Sequence, residues 1–121
     1  MSNRNAPRAR GMLSWAGVAA LLAAVPVVLG APPAREARME LGRKVFTEIA
    51  EPKCGICHTL KDAGATGEIG AKLEDIQPDE QRVLTAVRGG VGVMPRYDDK
   101  LTKEQIEAVA YYVSRAVRQP K

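Results

Sequence analysis

The sequence predicts an all-α domain built of short helices, and three observations carry that prediction. Apolar residues recur at helical spacing in three separate stretches. Proline, acid–amide pairs and glycine stand where such helices would start and stop. No stretch alternates apolar and polar residues as a half-buried strand does, and no internal repeat or long low-complexity tract breaks the chain.

The 121 residues suit one domain, preceded by a leader. Arg4, Arg8 and Arg10 form a basic start, and Gly11 to Gly30 carries no charge. Residues 1–30 are therefore expected to be a secretory signal peptide, with cleavage before Ala31 or after Ala34. An uncleaved N-terminal anchor is the alternative. Twenty helical residues would span about 30 Å, enough for a hydrocarbon core. Pro26 and the richness in Ala, Gly and Val favour the signal. Residues 31–35, with Pro32 and Pro33, read as a linker, and residues 36–121 as the folded domain.

The leader also explains the charge. The chain has 18 basic and 14 acidic residues, net +4. Removing residues 1–30 takes away three Arg and no acid, leaving 15 bases against 14 acids. No basic stripe interleaved with aromatics remains, so nucleic acid is not an expected partner. A domain with only Phe46, Tyr97, Tyr111 and Tyr112 as aromatics has a thin core, which a large apolar cofactor would complete.

The first helix is predicted from about Glu36 to Ala50. Leu41, Val45 and Ile49 repeat every four residues, and Met39, Gly42 and Phe46 fill the neighbouring row. Glu36 and Glu40 come early and Arg43 and Lys44 late, as the helix dipole favours. Gly42 costs up to about 1 kcal/mol in a helix interior, which a close helix crossing would justify. A glycine-rich loop, Gly64 to Gly70, has the spacing of a backbone that passes close to something flat. It lacks the lysine and the preceding strand of a phosphate loop. Leu73 and Ile76 are expected to point inward.

The second long helix starts at Gln77-Pro78-Asp79-Glu80, with Pro78 in its first turn. Val83, Leu84 and Val87 form its apolar face, and Gly89 or Gly90 ends it. An apolar loop, Gly90 to Pro95, follows. Thr102 to Gln105 fits a capping box, with Leu101 and Ile106 as its hydrophobic staple. Ile106, Val109, Ala110, Val113 and Val117 mark the inner face of the last helix, flanked by Tyr112.

Chemistry concentrates at Cys54-Gly55-Ile56-Cys57-His58, a CxxCH motif. Two thiols on one turn can add to the two vinyl groups of a porphyrin, and the histidine then meets the iron. CxxC alone would also suit zinc or a redox dithiol. The adjoining His58, with no other Cys or His in the chain, favours covalent haem, one per chain. Beyond the leader the chain has two methionines, Met39 and Met94. Met39 lies on a helix face and suits core filling. Met94, in an apolar loop stiffened by Pro95, is the candidate for the second axial position.

These features, in this order, make the chain resemble the class I c-type cytochromes from about Glu36 to Val117. The resemblance rests on Gly42 with Phe46, Cys54 to His58, Val93-Met94-Pro95, and Tyr112-Val113 on the last helix. It implies a bundle of about four short helices around one haem, with the first and last helices crossing at Gly42. It implies Cys54 and Cys57 as covalent attachment points and His58 and Met94 as axial ligands. One departure stands out: many bacterial members have Gly-Pro-x-Leu where this chain has Gly70-Ala71-Lys72-Leu73. The family's proline offers its carbonyl to the haem histidine. Ala71 can keep the carbonyl but not the rigidity.

The resemblance implies a one-electron carrier acting outside the cytoplasm, in the periplasm, since the family's thioethers are made there. It would be anchored to the membrane only if the leader is retained. From Phe46 through Gly70, and in the Met94 loop, the chain is similar to small haem subunits of sulfite dehydrogenases. That implies a molybdenum enzyme as electron donor and another cytochrome or a terminal oxidase as acceptor. Lys53, Lys61, Lys72, Arg96 and Lys100 flank the loops and could form a positive docking rim. Two other classes stay open at this point. An iron whose sixth position is free would bind a small ligand or peroxide, and a zinc or thiol module would use Cys54 and Cys57 without haem.

Overall fold

The computed structural model describes residues 34–119, together with Gly11. The expected leader and the first three linker residues lie outside that range. Helix α1 runs Ala34–Lys44 and continues as a π-helical turn, Val45–Ile49. A one-turn helix, α2, holds Cys54–Cys57. Strands β1 (Thr59–Leu60) and β2 (Ala65–Thr66) pair antiparallel, Thr59 opposite Thr66 and Leu60 opposite Ala65. Helices α3 (Leu73–Ile76), α4 (Glu80–Gly89) and α5 (Lys103–Ala116) complete the order. The domain is helical, as the sequence predicts, with one minimal strand pair that its pattern does not announce.

The crossing of α1 and α5 is the frame. Gly42 is buried there. A methyl in its place would lie 2.2 Å from the Ala108 carbonyl oxygen and 2.5 Å from Tyr112 Cβ. The bare backbone is what lets α1 lie directly on α5. One turn on, Phe46 meets Tyr112 edge to face, with ring centroids 6.1 Å apart at 64°. The Tyr112 hydroxyl donates to Asp62 in the β1–β2 turn, so the crossing also holds the hairpin. Burial, then that hydrogen bond, pushes the Tyr112 phenol well above its ordinary range.

Three expected details shift. Ala34 and Arg35 belong to α1 rather than to a linker. Ile49 does not continue the Leu41–Val45 row and stands 41% exposed. The reason is the π turn: Ala50 N–H donates to the Val45 carbonyl at 3.0 Å, five residues back instead of four. The extra residue rotates Ile49 outward and brings Ala50 into the core. Helix α4 begins two residues later than expected, because the Asp79 side chain accepts from the Arg82 N–H at 2.7 Å and is the N-cap.

The start of α5 follows the sequence closely. Thr102 accepts from Gln105 N–H at 3.2 Å, and the Gln105 side chain accepts from Thr102 N–H at 2.9 Å. Leu101 and Ile106 are both buried beside this box. On the outer side, the Arg38 and Arg115 guanidinium groups lie 4.4 and 3.7 Å from the Tyr111 ring centroid. Both reach Glu80, at 2.7 and 3.4 Å, which ties α1, α4 and α5 together. These pairs are partly exposed and contribute modestly. Among the described residues, no helix is long and apolar enough to cross a membrane.

Candidate functional site

A cavity of about 500 Å³ opens between the α2 turn, α4 and the loop after α4, with α5 as its floor. Phe46, Val109 and Val113 form the base, and Leu73, Val83 and Val87 the walls. Cys54, Cys57, His58 and Met94, separated by up to 40 positions in the chain, all line it. These are the four residues that the sequence singles out, and the fold brings them to one chamber. The volume lies within the range of small-molecule and cofactor pockets, about 300–1,000 Å³.

The motif itself is set by α2. His58 N–H donates to the Cys54 carbonyl at 3.0 Å, which closes the single turn. Both cysteines are half-buried at the cavity edge, and no disulfide joins them. Before attachment, burial pushes the Cys54 thiol up to about 11, which marks its surroundings as apolar. Beyond the turn, Gly70 N–H donates to the Cys57 carbonyl at 2.7 Å, and Thr59 donates to the Gly67 carbonyl at 2.8 Å. The glycine loop thus folds back over the motif.

Two of its glycines have steric tasks. A methyl at Gly67 would lie 2.5 Å from the Ile56 backbone. One at Gly70 would lie 2.7 Å from His58 Cε1 and 3.0 Å from its Nδ1. The flat object that the glycine spacing calls for includes the imidazole of His58. Gly70→Ala is expected to turn the ring out of place and to cost about 1–3 kcal/mol. A shifted absorption spectrum of the assembled protein, alongside a lower melting temperature, would show it. An unchanged spectrum would count against the contact.

His58 Nδ1 lies 2.8 Å from the Ala71 carbonyl oxygen. A carbonyl oxygen can only accept, so Nδ1 carries a proton, and in the neutral ring that leaves the Nε2 lone pair for a metal. Ala71 therefore provides the carbonyl contact without proline. The support is partly transferred to the backbone around it, since Lys72 bridges Thr59 in a parallel pair.

The opposite wall is the Met94 loop. Gly90 N–H caps α4 on the Ala86 carbonyl at 2.8 Å, and Gly90 has φ +72°. Val91 and Met94 exchange backbone hydrogen bonds at 3.2 and 2.9 Å across a tight turn. Tyr97 N–H returns to the Val87 carbonyl at 2.8 Å. The Tyr97 hydroxyl donates to the Pro52 carbonyl at 2.7 Å. Burial pushes this phenol up to about 12, so it stays protonated and donating. Tyr97 lines the cavity as well. Sequence reasoning counts Tyr97 only among the aromatics, and no spacing rule marks its bond to Pro52.

The expected basic rim is only partly present. Lys53 lines the cavity, joined by Arg82, which the sequence reading does not single out. Lys61, Lys72, Arg96 and Lys100 do not line it. Arg96 is held by Asp98, and Lys100 donates to the Glu51 carbonyl at 3.3 Å. The mouth is instead apolar, with Ile69, Ile76, Val91 and Val93 exposed around it. Ile76 thus faces the cavity mouth while only Leu73 enters the core. Among the described residues, no three His, Cys, Asp or Glu side chains converge to hold a metal ion.

This donor set suits a haem. A soft thioether, an imidazole with a free Nε2 and two thiols on one helical turn share an apolar chamber, and that combination fits iron in a covalently held porphyrin better than a free ion. Comparison with known proteins agrees. Residues 37–113 match the family described as cytochrome c oxidase, cbb3-type, subunit III. The chain is 31% identical over 103 residues to chloroplastic cytochrome c6 of Chlamydomonas reinhardtii, covering 78% of this chain and 65% of that protein. It is 30% identical over 76 residues to cytochrome c-551 of Halorhodospira halochloris, covering 60% of this chain and 95% of that one. The crystal structure of the c-type cytochrome SorU from Sinorhizobium meliloti superposes with a TM-score of 0.66 at 51% identity. That match covers 68% of this chain and 93% of SorU.

Proposed function

From the premise that this chain belongs to the c-type cytochromes, in the family of cytochrome c oxidase, cbb3-type, subunit III, we propose that it is a periplasmic one-electron carrier with His58 and Met94 as axial ligands. Its cofactor is covalently bound haem c. The observation that carries the ligation is the convergence of Cys54, Cys57, His58 and Met94 on one apolar cavity. The bound haem supplies a one-electron iron couple. The chain's own residues do the rest. Cys54 and Cys57 fix the group at one edge. Ala71 orients His58 through Nδ1 and raises the basicity of Nε2. Met94 presents a neutral sulfur that favours the reduced state and raises the potential. The aliphatic walls keep water out.

His58 and Met94 would hold the iron from both sides and leave no position for a substrate, which favours a carrier over an enzyme. The apolar mouth around Val91 and Val93 is where redox partners meet it, with Lys53 and Arg82 as the nearby positive charges. The sequence resemblance to haem subunits of sulfite dehydrogenases, over Phe46 to Gly70 and the Met94 loop, favours a molybdenum enzyme as donor. Another cytochrome or a terminal oxidase is the acceptor. Residues 1–30 act as the export signal, and the domain that follows carries the haem.

A pyridine haemochrome spectrum of the purified protein tests the attachment. A spectrum of saturated thioether haem is expected, and free thiols without haem would overturn the reading. A sulfur-to-iron charge-transfer band at the red end of the oxidised spectrum, with no carbon monoxide binding to the reduced protein, tests Met94. Rapid carbon monoxide binding would instead support an open sixth position.

A further inference from the structure

The two walls that carry His58 and Met94 are built separately. The His58 wall is tied to β1, the glycine loop and Ala71. The Met94 loop is tied at both ends to α4, through Gly90 to Ala86 and Tyr97 to Val87. Among the described residues, two hydrogen bonds join the segment 90–101 directly to the segment 51–58. Tyr97 hydroxyl to Pro52 carbonyl is 2.7 Å, and Lys100 Nζ to Glu51 carbonyl is 3.3 Å. The second is long and exposed, where water competes. The first belongs to a side chain only 4% exposed that also lines the cavity.

We propose that the Tyr97 hydroxyl is a positioning group: by clamping the Met94 loop to the segment leading into the CxxCH turn, it sets how readily the Met94 sulfur leaves the sixth position. Pro52 stands two residues before Cys54, and Tyr97 three after Met94, so the bond ties the bases of both loops together. Without it, the Pro52 carbonyl loses its partner and the loop can swing out on its α4 ties. The free energy of one such hydrogen bond, about 1–1.5 kcal/mol, corresponds to roughly a tenfold change in an equilibrium constant. This inference rests on Met94 ligation as proposed above.

The test is Tyr97→Phe in the haem-loaded protein, which removes one oxygen and keeps the ring. Exogenous imidazole, titrated into the oxidised protein, competes with the Met94 sulfur for the iron. The expected result is imidazole binding about tenfold tighter than in the wild type, with a weaker red-end band. Tyr112→Phe is the control. It deletes an equally buried hydroxyl bond, to Asp62, outside the cavity, and should leave imidazole affinity within about twofold while lowering stability comparably. Wild-type affinity in Tyr97→Phe, or an equal shift in both variants, would overturn the proposal. Should Tyr97→Phe fail to assemble, Lys100→Met loosens the same junction from outside. A tightening of about threefold there supports the clamp, and none overturns it. A wild-type protein with attached haem but no sulfur-to-iron band would instead refute the ligation itself.

Discussion

Gly42→Ala should destabilise the assembled protein by about 3 kcal/mol or more, which for a domain of this size lowers the melting temperature by roughly 12–24 °C. The direction is informative because local propensity points the other way. Alanine in a helix interior is favoured over glycine by about 1 kcal/mol. If α1 were held mainly by its own helicity, the substitution would stabilise. The added carbon would instead meet a backbone carbonyl at 2.2 Å, and backbone on α5 cannot turn aside as a flexible side chain can. The helices must move apart, which also loosens Phe46 from Tyr112 and the hairpin held by Asp62. Thermal unfolding of the two proteins, followed by circular dichroism, decides it. An equal or higher melting temperature for Gly42→Ala would refute the tight crossing.

Met94→Ala should have the largest effect on redox behaviour. On the proposed ligation, removing the thioether would leave the iron with one protein ligand and let water into the vacated side of the cavity. The midpoint potential is expected to fall by on the order of 0.1–0.3 V, a fraction of the about 0.8 V that axial ligation spans in haem proteins. The red-end band should vanish, and the reduced protein should bind carbon monoxide. The fold should largely survive, because Met94 is partly exposed and the cysteines still hold the group. Spectroelectrochemical titration with a carbon monoxide assay reads all three. A variant with an unchanged potential and a closed iron would place another residue at the sixth position, and Met39, half-buried on α1, is then the remaining thioether of the described chain.

The helical framework is legible in the sequence because it is written in local chemistry. The capping box at Thr102 and the apolar faces of α4 and α5 follow from spacing within one or two turns. Gly42 is legible for a different reason: a glycine amid good helix formers needs a close neighbour to justify it. Three things are not legible, each because a contact distant in sequence decides it. The π turn breaks a Leu41–Val45–Ile49 row that reads as continuous α-helix, and only the burial of Ala50 under the core reveals the extra residue. The strand pair is two residues long on each side, too short for any period, and is held by Thr59 and Asp62 through partners elsewhere. At the site, the four chemical residues can be named from the motif and the loop, but their supports cannot. Gly70 against the imidazole and Tyr97 on Pro52 depend on how loops meet across 12 and 45 positions. The flanking lysines mislead for the same reason. Proximity in sequence to the motif loops does not put Lys61 or Lys72 among the residues that line the cavity.

The mating of α1 with α5 also constrains how the molecule comes into being. A chain emerges amino end first, and domains fold as units once their parts are present. Here the earliest helix finds its main partner in the last one. Until α5 has been made, the groove beside Gly42 has nothing to fill it, and Cys54 and Cys57 lie on a strand of chain still open to solvent. The architecture makes the floor of the cavity, Val109 and Val113, the last part of the haem chamber to be supplied.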